Sequence, residues 1–152
     1  MKVTVLVRND HESLKAFFKN FNRVAGGRSH ESKRDRFNEF RRELLIHFRM
    51  EQEIFYPALV GTASPRAATL VGRAEQDHRS IERGLRELEA LSPASKAFDT
   101  RLAALIDDVT RHIAMEEEEI FGEARKSLSE YRLEELGLEM EERRKILVTL
   151  AA

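Results

Sequence analysis

Four stretches of this chain carry apolar residues at three- and four-residue spacing, and each plants one histidine in its own apolar stripe. His11 lies between Val7 and Leu14, His47 between Leu44 and Ile54, His78 between Ala74 and Ile81, and His112 between Val109 and Ile120. Such spacing predicts amphipathic helices. Each must turn its stripe inward, because burial of apolar surface at roughly 25 cal/mol per Å² drives assembly. Short connections between the four stretches predict antiparallel neighbours. The expected fold class is therefore all-α, an antiparallel up-down-up-down four-helix bundle with a short C-terminal helical tail. The bundle is expected over residues 1–126. Residues 127–152 form a helical extension, packed on the bundle or used in self-association as a homodimer.

Composition narrows the partners. Lys plus Arg number 26 against 27 Asp plus Glu, a net charge of −1 that gives no argument for nucleic acid or an anionic membrane. The 152 residues include no cysteine, which removes disulfides, thiolate zinc sites, iron–sulfur ligation and cysteine nucleophiles. No stretch is apolar for long enough to span a bilayer, and the run from Val3 to Val7 is too short for a signal-peptide core. A soluble, cytoplasmic protein is expected.

Helix boundaries follow from local chemistry. Ser64-Pro65 and Ser92-Pro93 each offer an N-cap with proline in the first turn. The first stripe runs out at Gly26-Gly27, and the second begins after Ser32. Val3, Val5 and Val7 alternate, which leaves strand and helix both open at the start. The tail is expected from about Leu128, with an interruption near Gly137. Its Glu- and Arg-rich part reads as a helix laced with i,i+4 ion pairs.

The histidines form two matching sets. His11 to His47 spans 36 residues and His78 to His112 spans 34, and both later histidines carry a glutamate four residues on, Glu51 and Glu116. Residues at i and i+4 share a helix face, roughly 5–6 Å apart at Cβ. Six polar side chains are thus aimed at a core where an unpaired carboxylate costs several kcal/mol. A purely hydrogen-bonded core would offer only two carboxylates to four imidazoles. Metal resolves the mismatch. Imidazole with carboxylate suits iron, manganese, zinc or copper better than calcium or magnesium. Six ligands exceed the needs of one tetrahedral zinc, but they suit two bridged ions that keep positions for a bridging oxygen and an exogenous ligand. The ferritin-like plan requires a Glu-x-x-His pair on two helices. Only Glu75 to His78 fits it, since Arg8, Leu44 and Val109 precede the other histidines by three.

The segments Asn9-Asp10-His11, His47 to Pro57, Gln76-Asp77-His78 and His112 to Phe121 resemble the hemerythrin-like, cation-binding HHE family over about residues 4–126. The resemblance implies an antiparallel bundle around a non-haem di-iron centre. By position, His11 and His47 would bind one iron, His78 and His112 the other, with Glu51 and Glu116 bridging. Zinc or manganese are possible substitutes for the two irons. The implied function is binding of a small oxidant ligand (oxygen, nitric oxide or peroxide) for sensing, binding or redox detoxification. Two rivals stand beside it: a metal-stabilised interaction module without gas chemistry, and an iron donor resembling iron–sulfur repair proteins. The latter usually carry a cysteine-bearing N-terminal segment that this sequence lacks.

Departures from the family are visible. Ala74 stands where respiratory hemerythrins place a further histidine, and Gly122 stands where the first repeat has Pro57. Glu75 is either a fifth terminal ligand or a solvated surface glutamate. Glu117 is the lesser candidate for the bridging place taken by Glu116. Asp10 and Asp77 point about 100° from the ligand histidines they precede. They either hydrogen-bond a histidine of a neighbouring helix or are surface charges. Met50 and Met115 are expected to pack, His30 to be solvated, and Tyr56 to lie at an interface or the surface, with a reach into the pocket as the lesser alternative.

Overall fold

The structure is a computed structural model that describes residues 1–24 and 30–151, with side chains described outside residues 22–31. The Gly26-Gly27 stop and the side chain of His30 lie outside the described residues. Five helical runs are described: α1 (Val3–Val24), α2 (residues 30–60), α3 (Pro65–Glu89), α4 (residues 96–127) and α5 (Glu130–Ala151). The first four form the expected bundle. No described helix is long and apolar enough to cross a membrane.

At the N-terminus the helical period wins over the alternating one. Val3 and Val7 are fully buried while Val5 is 44% exposed, the pattern of i,i+4 positions on one helix face. α2 opens at His30, two residues before Ser32. α3 starts as its sequence predicts, with the Ser64 hydroxyl accepting from the Ala67 N–H at 3.1 Å. α4 does not start at Ser92-Pro93. Those residues form a turn, in which Ser92 accepts from the Ser95 N–H at 2.9 Å, and Ser95 then caps the helix by accepting from the Phe98 N–H at 3.1 Å. The expected cap at Ser92 thus closes the preceding turn, and the cap itself falls three residues later.

The tail is one uninterrupted helix. Gly137 does not break it, because that glycine lies against the chain's first residue: a Cβ there would stand 1.8 Å from the Met1 carbonyl oxygen. α5 packs on α1 and α2. Its Leu133, Leu136, Met140 and Leu147 join Val3, Leu6 and Val7 of α1 in one apolar cluster. A second cluster, built on Leu14, Phe40, Leu44, Ile81, Leu105 and Val109, fills the other end of the bundle. Polar residues occupy the layer between them.

α2 and α4 share an irregularity that their apolar spacing does not reveal. Each contains a π-helical turn, Glu51–Phe55 in α2 and Glu116–Ile120 in α4. There the Tyr56 N–H donates to the Glu51 carbonyl and the Phe121 N–H to the Glu116 carbonyl, five residues back instead of four. Such turns widen a helix by one residue and recur at functional sites. Both begin at the glutamate of the His-x-x-x-Glu motif. Beyond them α2 continues through Pro57 to Val60 and α4 through Gly122 to Ser127, so the substitution of glycine for proline falls past the site.

Candidate metal centre

The six side chains singled out by sequence converge in the middle layer. His11, His47, Glu51, His78, His112 and Glu116 are all buried, none more than 2% exposed. Their ligating atoms fall into two groups, each within 4.8 Å: His11, His47, Glu51 and Glu116 in one, Glu51, His78 and His112 in the other. Glu51 belongs to both groups. Its Oε1 lies 3.3 Å from His47 Nε2 and 3.2 Å from His78 Nε2. Glu116 spans likewise, with Oε1 3.0 Å from His11 Nε2 and Oε2 3.7 Å from His112 Nε2. Two imidazole pairs are thus joined by two carboxylates.

The residues fit a bound cation on a direct observation. His47 Nε2 and both oxygens of Glu51 are buried with no hydrogen-bond partner. Leaving a buried polar group unsatisfied costs about 1–3 kcal/mol, and more when it is charged. Three such atoms lie together in the middle layer, a donor set that a cation would satisfy. Without a cation the core resolves the conflict by protonation. Burial, reinforced by the charge of Glu116, pushes Glu51 well above the ordinary carboxylate range. Burial acts on Glu116 in the same direction, but the neighbouring Glu51 carboxyl and His11 outweigh it and hold Glu116 well below. Burial lowers His47, which Asp10 offsets only in part. Burial and the charge of His112 hold His78 well below the usual imidazole range. His11 goes the other way, because Glu116 and Glu117 at its two nitrogens overcome burial.

Each histidine points Nε2 inward and is held from outside at Nδ1. His47 donates to Asp10 at 3.0 Å and His112 to Asp77 at 3.1 Å. Both aspartates, one residue before a ligand histidine of their own helix, therefore orient the histidine of the next helix. His11 Nδ1 is 2.6 Å from Glu117, and the Gln52 amide is 2.8 Å from His78 Nδ1. Glu117 and Gln52 hold corresponding places, five residues after His112 and His47, and the π-turns carry both. The function of this second pair is absent from the sequence reading; the signal was available in the repeat itself, one position past each glutamate.

Tyr56 departs from its expected place. It is buried, its hydroxyl donates a short hydrogen bond to Glu116 Oε2, and it stands 3.3 Å from His78 Nε2. Ideal α-helical geometry at 100° per residue would turn position i+5 about 140° away from Glu51. The π-turn brings it back. The same device in α4 brings Phe121 over His11, stacked at a centroid distance of 6.1 Å. Glu75 is half-buried and outside both ligand groups. Met50 and Met115 pack in the core as expected.

A bundle whose middle layer carries this set defines a class, and comparison with known proteins agrees. Residues 3–124 match the Hemerythrin HHE cation binding domain, and the chain belongs to that family. Its fold is shared with the hemerythrin HHE cation binding domain-containing protein, Rv2633c homolog, from Mycobacterium kansasii. That match has a TM-score of 0.84 at 22% identity, over 97% of this chain and 87% of the other. A protein of Nostoc sp. named DNA nickase is 23% identical over 144 residues, which is 91% of this chain and 38% of the nickase. The chain therefore spans well under half the length of that relative.

Proposed function

We propose that the chain is a non-haem di-iron protein that binds a small oxidant (oxygen, nitric oxide or peroxide) for sensing, binding or redox detoxification. The observation that carries this is the pair of ligand groups sharing Glu51, with Glu51 and His47 Nε2 otherwise unsatisfied. His11 and His47 would hold one ion, His78 and His112 the other, and Glu51 and Glu116 would bridge them. Iron in such a site supplies reversible electron transfer to the bound ligand. The chain's own residues supply the rest. Asp10, Asp77, Gln52 and Glu117 fix the imidazole orientations, while the two apolar clusters keep bulk water from the centre. Burial and the charges of Glu116 and Glu51 hold Tyr56 well above its ordinary range, so it stays a neutral hydroxyl donor inside the pocket. A cleft of about 360 Å³, lined by Arg73, Asp77, Ile81, Asp108 and Arg111, reaches the outer edge of His112.

The name of the Nostoc relative raises DNA as a second partner. The ligand set favours the first reading, since the chemistry lies in a buried layer and the net charge is −1. The test is anaerobic loading with ferrous iron followed by separate exposure to oxygen, nitric oxide and hydrogen peroxide under optical absorption. New charge-transfer bands with at least one of the three are expected. A loaded protein whose spectrum responds to none would contradict the reading and leave a metal-stabilised interaction module.

A further inference from the structure

The two halves of the centre are built from matching parts, but among the described residues an arginine of the C-terminal helix reaches the outer aspartate of one half and not that of the other. On α5, Arg144 places a single nitrogen, Nη2, 2.6 Å from Asp10 Oδ1 and 2.7 Å from Asp10 Oδ2. The same carboxylate receives the Nδ1 proton of His47. A continuous chain thus runs from α5 through Arg144 and Asp10 to a ligand of the first half. α5 lies beyond residues 3–124, the part that matches the family domain. In the second half Asp77 has the role of Asp10, yet its side chain is 39% exposed, against 15% for Asp10. Among the described residues no arginine stands within ion-pair distance of Asp77. The outer partner of the other imidazole differs in the same sense. Glu117 at His11 is a carboxylate with Arg8 at 3.8 Å, whereas Gln52 at His78 is neutral.

We propose that Arg144 is a positioning residue for one half of the metal centre: by clamping Asp10 it fixes His47, so metal retention at the His11–His47 half depends on α5 and retention at the His78–His112 half does not. The physical basis is that an outer partner sets the ring orientation and basicity of a ligand histidine, and its loss typically costs 10–100-fold in metal affinity. A charged clamp on both carboxylate oxygens leaves Asp10 one direction in which to present its oxygen to His47. Asp77, facing solvent, has no such constraint. The proposal rests on the dinuclear reading above.

The test uses the full chain loaded with ferrous iron under argon, with release followed against a colorimetric chelator, in wild type, Arg144→Ala, Arg144→Lys and Arg143→Ala. Arg143 also anchors α5, through Glu53 at 2.6 Å, but touches neither Asp10 nor a ligand. Arg144→Ala is expected to release one of its two irons roughly tenfold faster or more, with the other unchanged. Arg144→Lys is expected to restore much of the retention, because one ammonium nitrogen can bridge both oxygens as Nη2 does. Arg143→Ala should behave as wild type. A readout without metal accompanies it: the imidazole Nδ1–H proton resonance of His47 should be lost or shifted in Arg144→Ala and kept in Arg143→Ala. Unchanged release in Arg144→Ala, equal acceleration of both irons, or the same loss in Arg143→Ala would overturn the proposal. A wild type that retains fewer than two irons sinks the dinuclear reading itself, a failure visible before any variant is compared.

Discussion

Glu51 shows at the scale of one residue how the site opposes the fold. Its raised folded-state value exceeds the roughly 4.3 of an unfolded chain, so over that interval the folded protein holds a proton that the unfolded chain has released. The sign follows: its contribution to stability is complete below about pH 4.3 and is lost as pH rises through the raised value. Metal-free Glu51→Gln should therefore be more stable than metal-free wild type at neutral pH, with a gap that widens as pH rises. Urea unfolding at stepped pH reads this directly, and a gap independent of pH would contradict it. Tyr56 makes the opposite case, since its hydroxyl satisfies Glu116. Tyr56→Phe should cost the metal-free protein about 1–3 kcal/mol in the same experiment, the penalty of a buried group left short of a partner. A change near zero would mean that Glu116 finds another donor. The six converging side chains were legible in sequence because each sits on an apolar stripe where a polar residue demands explanation. Tyr56 was not, because its inward orientation depends on a backbone feature that side-chain periodicity does not encode.

Elements explain that failure. A stripe counted at 3.6 residues per turn assumes an unbroken α-helix, and α2 and α4 each break the count at the glutamate of the His-x-x-x-Glu motif. Glu118 lies in the second π-turn with its side chain exposed. Glu118→Ala should stay within roughly 0.5 kcal/mol of wild type, as surface substitutions do. Deleting Glu118 should convert the turn to regular helix, swing Phe121 off His11 and lower both the melting temperature and metal retention. A deletion variant as stable as the alanine variant would show that the π-turn is incidental. The tail offers a second lesson. Gly137 in a helical pattern suggested a break, yet its role is to admit the Met1 carbonyl. Gly137→Ala should destabilise by about 1–3 kcal/mol through overpacking, although alanine is the better helix former. A stabilised variant would reverse that account. Close approach between distant segments leaves no mark in a local window, which is why the interruption was expected and not found.

At the scale of the whole molecule, the bundle was readable from stripes, caps and short connections, while the placement of α5 was not. Its apolar residues left packing on the bundle and self-association both open, and the structure buries Leu133, Leu136, Met140 and Leu147 beside α1. The same helix brings Arg144 to Asp10, a contact across more than a hundred positions of sequence that no motif announces. What the chain assembles is a core with two apolar ends and a polar middle in which His47 Nε2 and both Glu51 oxygens find no hydrogen-bond partner. We propose that this middle layer holds two metal ions. The most direct measurement is iron per chain after anaerobic ferrous loading and desalting, in wild type and in a His47→Ala, His112→Ala double variant that removes one imidazole from each half. About two irons per wild-type chain, lost in the variant, is the predicted result. No retained iron in wild type, or the same amount in both proteins, would contradict it.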